Sequence, residues 1–201
     1  EIIVTAAKRE QTAQEIPYNI TVLSGDQLDR LGISDPEAFL RAVPGLSNFD
    51  EGPHIGGARN NYQLRGMNVN NAGNEDDNPM ISQMTVSTYL GEVPFFFPMK
   101  LFDLNRIEVL RGPQGTLYGA GSVGGTIRFI PNKPSLEEET MDLRAKLSST
   151  DHSSDTGYDF NLTANIPMSD TLAFRGTVGY EKMPGFIDAI GLVAQEGTPR
   201  D

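Results

Sequence analysis

Gly119-Ala120-Gly121-Ser122-Val123-Gly124 has the spacing of a dinucleotide-binding loop. In such a loop glycines let the backbone approach a pyrophosphate, and the N-terminus of a following helix takes its charge. Here the glycines lead into Thr126-Ile127-Arg128-Phe129-Ile130, which has strand character and stops at Pro131, so the second half of the phosphate cradle is missing. A soluble nucleotide-dependent enzyme remains an alternative whose requirement is a helix after Gly125. Ser122 with Gly124 two residues later is half of a hydrolase elbow, but Ala120 stands where the first glycine belongs and no strand-turn-helix frame surrounds it. A serine triad would have to recruit His54 or His152, the only 2 histidines, and both fall in loops. Two isolated histidines make a poor metal cage, Glu75-Asp76-Asp77 lacks the alternating spacing of a calcium loop, and the chain has no cysteine for a thiolate site. No catalytic residue, bound metal or cofactor is expected.

The bulk properties narrow the field further. With 201 residues there is room for one ordinary domain and part of a second. A formal charge of −11 argues against a nucleic-acid partner, since phosphate binding needs a basic face. Gly 21 and Pro 13 indicate many turns and short elements. No run of about 18 apolar residues is present, which excludes a transmembrane helix but not a membrane β-barrel, whose strands are only half apolar. The first residues lack the regions of a signal peptide, which fits a mature or trimmed N-terminus as well as a cytosolic protein.

The elements fall into two regimes. Residues 1 to about 135 read as a mixed α/β unit with glycine-rich loops. The β-branched run Ile20–Leu23 is followed by a capping box, Ser24 with Gln27, opening a helix expected to bury Leu28 and Leu31 and to stop at Gly32. A second box, Ser34 to Glu37, opens a helix with the stripe Phe39, Leu40 and Val43, ended by Pro44-Gly45. Short strands are predicted at Tyr62–Arg65, Thr85–Leu90, Ile107–Leu110 and Thr126–Ile130. The polar stretch Asn68–Pro79 reads either as a solvated loop or as a ligand-facing one.

After Pro134 and the acidic link Glu137–Glu139, period-2 alternation takes over. Met141, Leu143, Ala145 and Leu147 form one apolar row; Tyr158, Phe160, Leu162, Ala164 and Ile166 form a second; Leu172, Phe174, Val178 and Tyr180 form a third. The first two rows alternate with charged, amide or hydroxyl residues and the third with Ala173, Arg175, Thr177 and Glu181, and each segment has roughly the ten residues a tilted strand needs to cross a bilayer. Lipid outside and a wet or filled lumen inside would suit this pattern, and so would a half-exposed soluble sheet. Pro167-Met168-Ser169-Asp170 reads as a tight turn, whereas Thr150–Asp155 and the stretch from Met183 are longer and polar or glycine-bearing. Three strands cannot close a barrel, and open edges cannot sit in lipid, so the chain is expected to be incomplete at its C-terminus.

Read in order, the motifs resemble one family. Glu1-Ile2-Ile3-Val4-Thr5-Ala6 looks like the TonB box of TonB-dependent outer-membrane receptors. Ile16-Pro17-Tyr18-Asn19-Ile20-Thr21-Val22-Leu23-Ser24, Val43-Pro44-Gly45-Leu46, Gln63-Leu64-Arg65-Gly66-Met67 and Tyr89-Leu90-Gly91-Glu92-Val93-Pro94 are similar to its plug domain, with Gly91-Glu92 where the family often has Asp-Gly. The most specific match runs from Ile107-Glu108-Val109-Leu110-Arg111-Gly112-Pro113-Gln114-Gly115-Thr116-Leu117-Tyr118-Gly119 through Gly124-Gly125-Thr126-Ile127 to Asn132-Lys133-Pro134. Gly185-Phe186-Ile187-Asp188 resembles the loop after the third barrel strand.

The resemblance implies an α/β plug, a mixed four-stranded sheet with short helices and long loops, followed by the first antiparallel strands of a transmembrane β-barrel of about 22 strands. It implies residues 1–7 as TonB box and start of a flexible tether, 8–135 as plug, and 136–201 as the start of the barrel. Barrel strands would lie near 141–149, 157–166 and 171–182, followed by an extracellular loop. The function implied is TonB-dependent active transport of a scarce solute across the bacterial outer membrane, with plug and N-terminus facing the periplasm. A ferric siderophore leads as the solute, with cobalamin or an oligosaccharide next; a signalling receptor with an upstream domain is a further alternative. The implied partners are TonB with its inner-membrane energising complex, outer-membrane lipid and a small-molecule ligand. Ile2, Ile3, Val4, Thr5 and Ala6 would add a strand to TonB's sheet edge, although the same β-rich residues could serve as a first strand of the plug itself. Arg65 and Arg111 match the plug side of a lock with barrel glutamates. His54, Arg59, Asn70, Asn71, Phe95, Phe96 and Phe97 fall on the apical loops that face ligand in the family; the three phenylalanines could equally pack under the barrel wall.

Overall fold

The computed structural model describes residues 3–6, 8, 11–12, 14, 19–34, 36–48, 62–67, 85–95, 100–149, 151 and 155–182. The chain divides into two compact units, Glu1–Asn132 and Lys133–Asp201.

In the first unit, β1 (Ile3–Val4) and β2 (Gln11–Thr12) make a small antiparallel pair. They are followed by β3 (Asn19–Ser24), α1 (Gly25–Arg30), α2 (Pro36–Ala42), β4 (Leu46–Asn48), β5 (Tyr62–Leu64), β6 (Val86–Leu90), β7 (Val93–Pro94), β8 (Leu104–Arg111), α3 (Gly115–Tyr118) and β9 (Gly125–Pro131). The main sheet has the order β3-β8-β9-β6-β7. Only β6 and β9 run parallel, so the sheet is mixed, and the two-residue β7 extends a four-stranded core.

The two faces of this sheet differ because side chains alternate along each strand. Ile107, Val109, Ile127 and Phe129 point to one face, where Leu28, Phe39 and Val43 from the helices complete a buried core. Glu108 and Leu110 of β8 and Arg128 and Thr126 of β9 point to the other. There Leu110 packs with Tyr118, Val4 and Ala6.

Helix α1 starts with the anticipated capping box: Gln27 N donates to Ser24 Oγ at 3.3 Å, and Ser24 N donates to Gln27 Oε1 at 3.0 Å. It also stops at Gly32 as anticipated, but the residue buried there differs from expectation. Ile33 N donates to Leu28 O, and Gly32 N to Asp29 O, with Gly32 at φ +65°, which is a Schellman stop. In that motif the residue after the glycine packs back on the last turn, so Ile33 is buried with Leu28 while Leu31, as the C-cap, is 64% exposed.

Gly125 opens β9 as a strand, not a helix. A Cβ there would meet Leu110 O at 2.2 Å and Leu64 Cδ1 at 2.5 Å. The glycine is needed for close approach of two strands, and the glycine-rich run is a turn into a sheet with no helix N-terminus behind it.

The second unit is an antiparallel sheet ordered β10 (Thr140–Ser149), β11 (Thr156–Ser169), β12 (Leu172–Lys182). Its register aligns the apolar rows: Leu143 faces Leu162, which faces Val178, and Ala145 faces Phe160, which faces Tyr180. In β11 the polar row is the covered one, with Asn161 at 4% and Asn165 at 0%, while Leu143 at 71% and Val178 at 67% lie open on its neighbours; β10 is exposed along both of its faces. Apolar outside and polar inside inverts the pattern of a water-soluble sheet and suits a wall whose outer solvent is lipid. The β11–β12 turn comes later than anticipated: β11 continues to Ser169 through an irregularity between Pro167 and Ser169, and the chain reverses at Asp170-Thr171. Pro167 lacks an N–H for the ladder, and a bulge accommodates that loss without ending the strand.

Candidate functional site

The terminal segment Ile3–Ala6 lies on the sheet face that carries Glu108 and Arg128. Glu108 interrupts the buried run Ile107–Leu110 of β8, and Arg128 the buried run Thr126–Phe129 of β9; the register sets the two directly side by side. Both are essentially inaccessible, and Arg128 Nη1 donates to Glu108 Oε2 at 2.7 Å. A buried charge must be paired and hydrogen-bonded, and most of the remaining capacity of this pair is filled by its surroundings, although Arg128 Nε is buried without a hydrogen-bond partner among the described residues. Arg106 Nε donates to Glu108 Oε1 at 2.7 Å, and the Arg128 guanidinium also pairs with Glu92.

Thr5 closes the cluster from above. Its N–H donates to Glu108 Oε1 at 3.0 Å, and its Oγ1 accepts from Arg128 Nη1 at 2.9 Å and from Arg106 Nη2 at 3.2 Å. Tyr118 OH donates to Ala6 O at 2.6 Å; burial pushes the hydroxyl's pKa up to about 12, so it remains a donor at any physiological pH. Lys8 follows a turn closed by its N–H on Thr5 O, pairs with Glu92, and places Nζ 4.8 Å from the Tyr118 ring centroid. Partial desolvation would raise the Glu92 pKa, but hydrogen bonding and charge from Lys8 and Arg128 outweigh it and hold the carboxyl below its ordinary value.

The first segment is thus gripped by side chains, with Val4 and Ala6 fully buried and Ile3 exposed, while β2 occupies one backbone edge. Ile2 lies outside the described residues. The sequence reading missed Glu108, Arg128, Arg106, Tyr118 and Glu92 as a docking set. The available signal was a charge of opposite sign set between apolar residues in each of two strands, Ile107-Glu108-Val109 and Ile127-Arg128-Phe129.

Arg65 and Arg111 meet at one turn. Arg65 N donates to Gly45 O at 2.9 Å, and Arg111 Nη2 donates to Pro44 O at 3.0 Å while its Nη1 donates to Asn19 Oδ1 at 2.8 Å. Arg111 Nε is buried without a hydrogen-bond partner among the described residues. Phe95 is half-buried and its N–H donates to Thr88 O at 2.8 Å. His54, Arg59, Asn70, Asn71, Phe96 and Phe97 lie outside the described residues.

The family profile of the TonB-dependent Receptor Plug Domain matches residues 12–126. The chain belongs to the TonB-dependent receptors. A ferripyoverdine receptor of Pseudomonas aeruginosa is 34% identical over 137 residues, covering 67% of this chain and 15% of the relative. A vitamin B12 transporter, BtuB, of Vibrio vulnificus is 27% identical over 154 residues, covering 76% of this chain and 24% of the relative. The crystal structure of the ferripyoverdine receptor of the outer membrane of Pseudomonas aeruginosa, bound to ferripyoverdine, aligns with TM-score 0.66 at 23% identity over 89% of this chain and 22% of that one. The chain therefore spans about a fifth of the length of such receptors. Its fold is a plug followed by the start of a barrel, its place is the bacterial outer membrane, and its relatives are receptors and transporters, not enzymes.

Proposed function

We propose that this chain is the coupling peptide, plug and first wall strands of a receptor that actively imports a scarce solute, with a ferric siderophore as the leading class. Residues 1–7 act as the coupling segment, 8–135 as the plug, and 136–201 as the start of the wall. The supporting observation is the grip on Thr5 and Ala6: a short β-rich peptide held by side chains can be released and then offered as an added strand to TonB in the periplasm. Arg65 and Arg111, gathered at the Pro44-Gly45 turn, hold the plug through carboxylates of the wall; the unpartnered Arg111 Nε is a donor free for that purpose. The loops carrying His54, Arg59, Asn70, Asn71 and Phe95–Phe97 face the ligand. The siderophore class rests on relatives that include a ferripyoverdine receptor; cobalamin follows from the vitamin B12 transporter.

Deleting Ile2–Ala6 from the full-length receptor tests the proposal. Uptake of a radiolabelled ferric chelate is expected to stop while binding at the cell surface is unchanged. Equal uptake with and without the segment would overturn TonB coupling.

A further inference from the structure

The boundary between the two compact units is held on both sides. On the plug side, Asn132 N donates to Asp103 O at 3.0 Å and Asn132 Nδ2 to Asp103 Oδ1 at 2.9 Å. On the wall side, the fully buried Asn165 of β11 grips the incoming chain. Its Oδ1 accepts from Ser135 N at 2.8 Å, and its Nδ2 donates to Ser135 O at 2.9 Å and Glu138 O at 2.5 Å. One carboxamide therefore satisfies both backbone groups of Ser135, as a neighbouring strand would, and adds a third bond three residues on. Only Lys133 and Pro134 lie between the two clamps.

The ladder of the wall starts directly after the second clamp, because Thr140 is the register partner of Asn165 itself. Without Asn165, tension arriving through Pro134 would act on the open end of the β10–β11 ladder and part it one bond at a time. With Asn165 in place, that tension is shared by three hydrogen bonds. The plug's other end is built differently: β3 is an outer strand of the sheet, and the chain enters it at Asn19, opposite Arg111. A pull from the N-terminus, once the docked Ile3–Ala6 is released, meets that end before it reaches the exit.

We propose that Asn165 is a strain-relief residue: with the Asn132–Asp103 clamp it fixes the plug's exit so that a pull on the N-terminus rearranges the plug without parting the first two wall strands. The inference rests on the coupling reading above, because it presumes that a pull is applied.

The test uses the full-length receptor in outer membranes, with Asn165→Leu and Ser135→Pro as variants. The second removes the Ser135 N–H without altering any wall strand, so it decides the matter if Asn165→Leu fails to insert. Two readings are taken: cleavage at Glu137–Glu139 by a glutamate-specific protease, and sensitivity of cells to vancomycin with and without TonB. Cleavage about tenfold faster is expected from the lost protection of the linker, together with vancomycin sensitivity that appears only in cells with TonB. Unchanged cleavage in the inserted variants overturns the anchor, as does faster cleavage with no gain in sensitivity in either strain. Sensitivity equal in cells with and without TonB sinks the coupling reading, while the protease result still reports the clamp.

Discussion

Thr5 hangs from Glu108, Arg106 and Arg128, so the strength of its attachment depends on the pair beneath it. Glu108→Ala leaves the buried Arg128 with only the largely exposed Glu92 as a carboxylate partner, and loss of one partner from a buried pair costs about 3–5 kcal/mol. The expected outcome is a plug that unfolds at markedly lower denaturant, with a spin label at Ile3→Cys becoming mobile. Replacing both partners, Glu108→Leu with Arg128→Met, should recover most of the stability but leave the label mobile. Restored immobility in the double variant would show that shape, not charge, holds the segment. The pH response has a definite sign. Glu92 has a lowered pKa, so its contribution is present above about pH 4.5, the ordinary carboxylate value, and is lost as pH falls through the lowered one. Label mobility should therefore stay flat from pH 7 to pH 5 and rise only below that; a rise centred near pH 6 would point to another group. The effect is small because Glu92 is largely exposed.

The strands are where local pattern and tertiary context part company. The apolar runs at Ile107–Leu110 and Thr126–Ile130 were legible because buried strands read as continuous β-branched segments, and the Ser24–Gln27 box was legible because capping is local. Leu31 was misplaced because one residue decides a Schellman stop, and periodicity does not see it. A first plug strand at Ile3–Val4 was open to the sequence as an alternative, but its docking contacts were out of reach, since those of Thr5 with Glu108 and Arg128 join residues more than a hundred positions apart. Gly125 offers a test at this scale. Gly125→Ala drives a methyl group into Leu110 O and Leu64, and overpacking of this kind costs about 1–3 kcal/mol or more. Thermal unfolding of the plug should shift down accordingly, and an unchanged midpoint would mean that β8 and β9 can separate freely.

At the scale of the whole molecule, the wall strands place apolar rows where a soluble protein would place charges, and this alternation was fully visible in the sequence. What the alternation alone left open, lipid or a half-exposed soluble sheet, is decided by the family to which the chain belongs. Leu143→Arg puts a charge into that row and should cost about 2–4 kcal/mol near the bilayer midplane, read from urea titration of the full-length receptor folding into vesicles, whereas Leu143→Val should cost under about 1.5 kcal/mol. Equal midpoints for the two would deny that Leu143 meets lipid. The burial of Val4 and Ala6 reaches beyond the plug itself. If Ile3–Ala6 is the segment that TonB takes up, as proposed, the seat in the plug and TonB compete for it, and TonB binds only the fraction set free. Were seating favoured by about 2 kcal/mol, roughly 3% of molecules would be available at any moment, and TonB's apparent affinity would fall about thirtyfold. On that proposal, whatever event loosens the seat sets how many receptors draw on the cell's limited supply of energised partner.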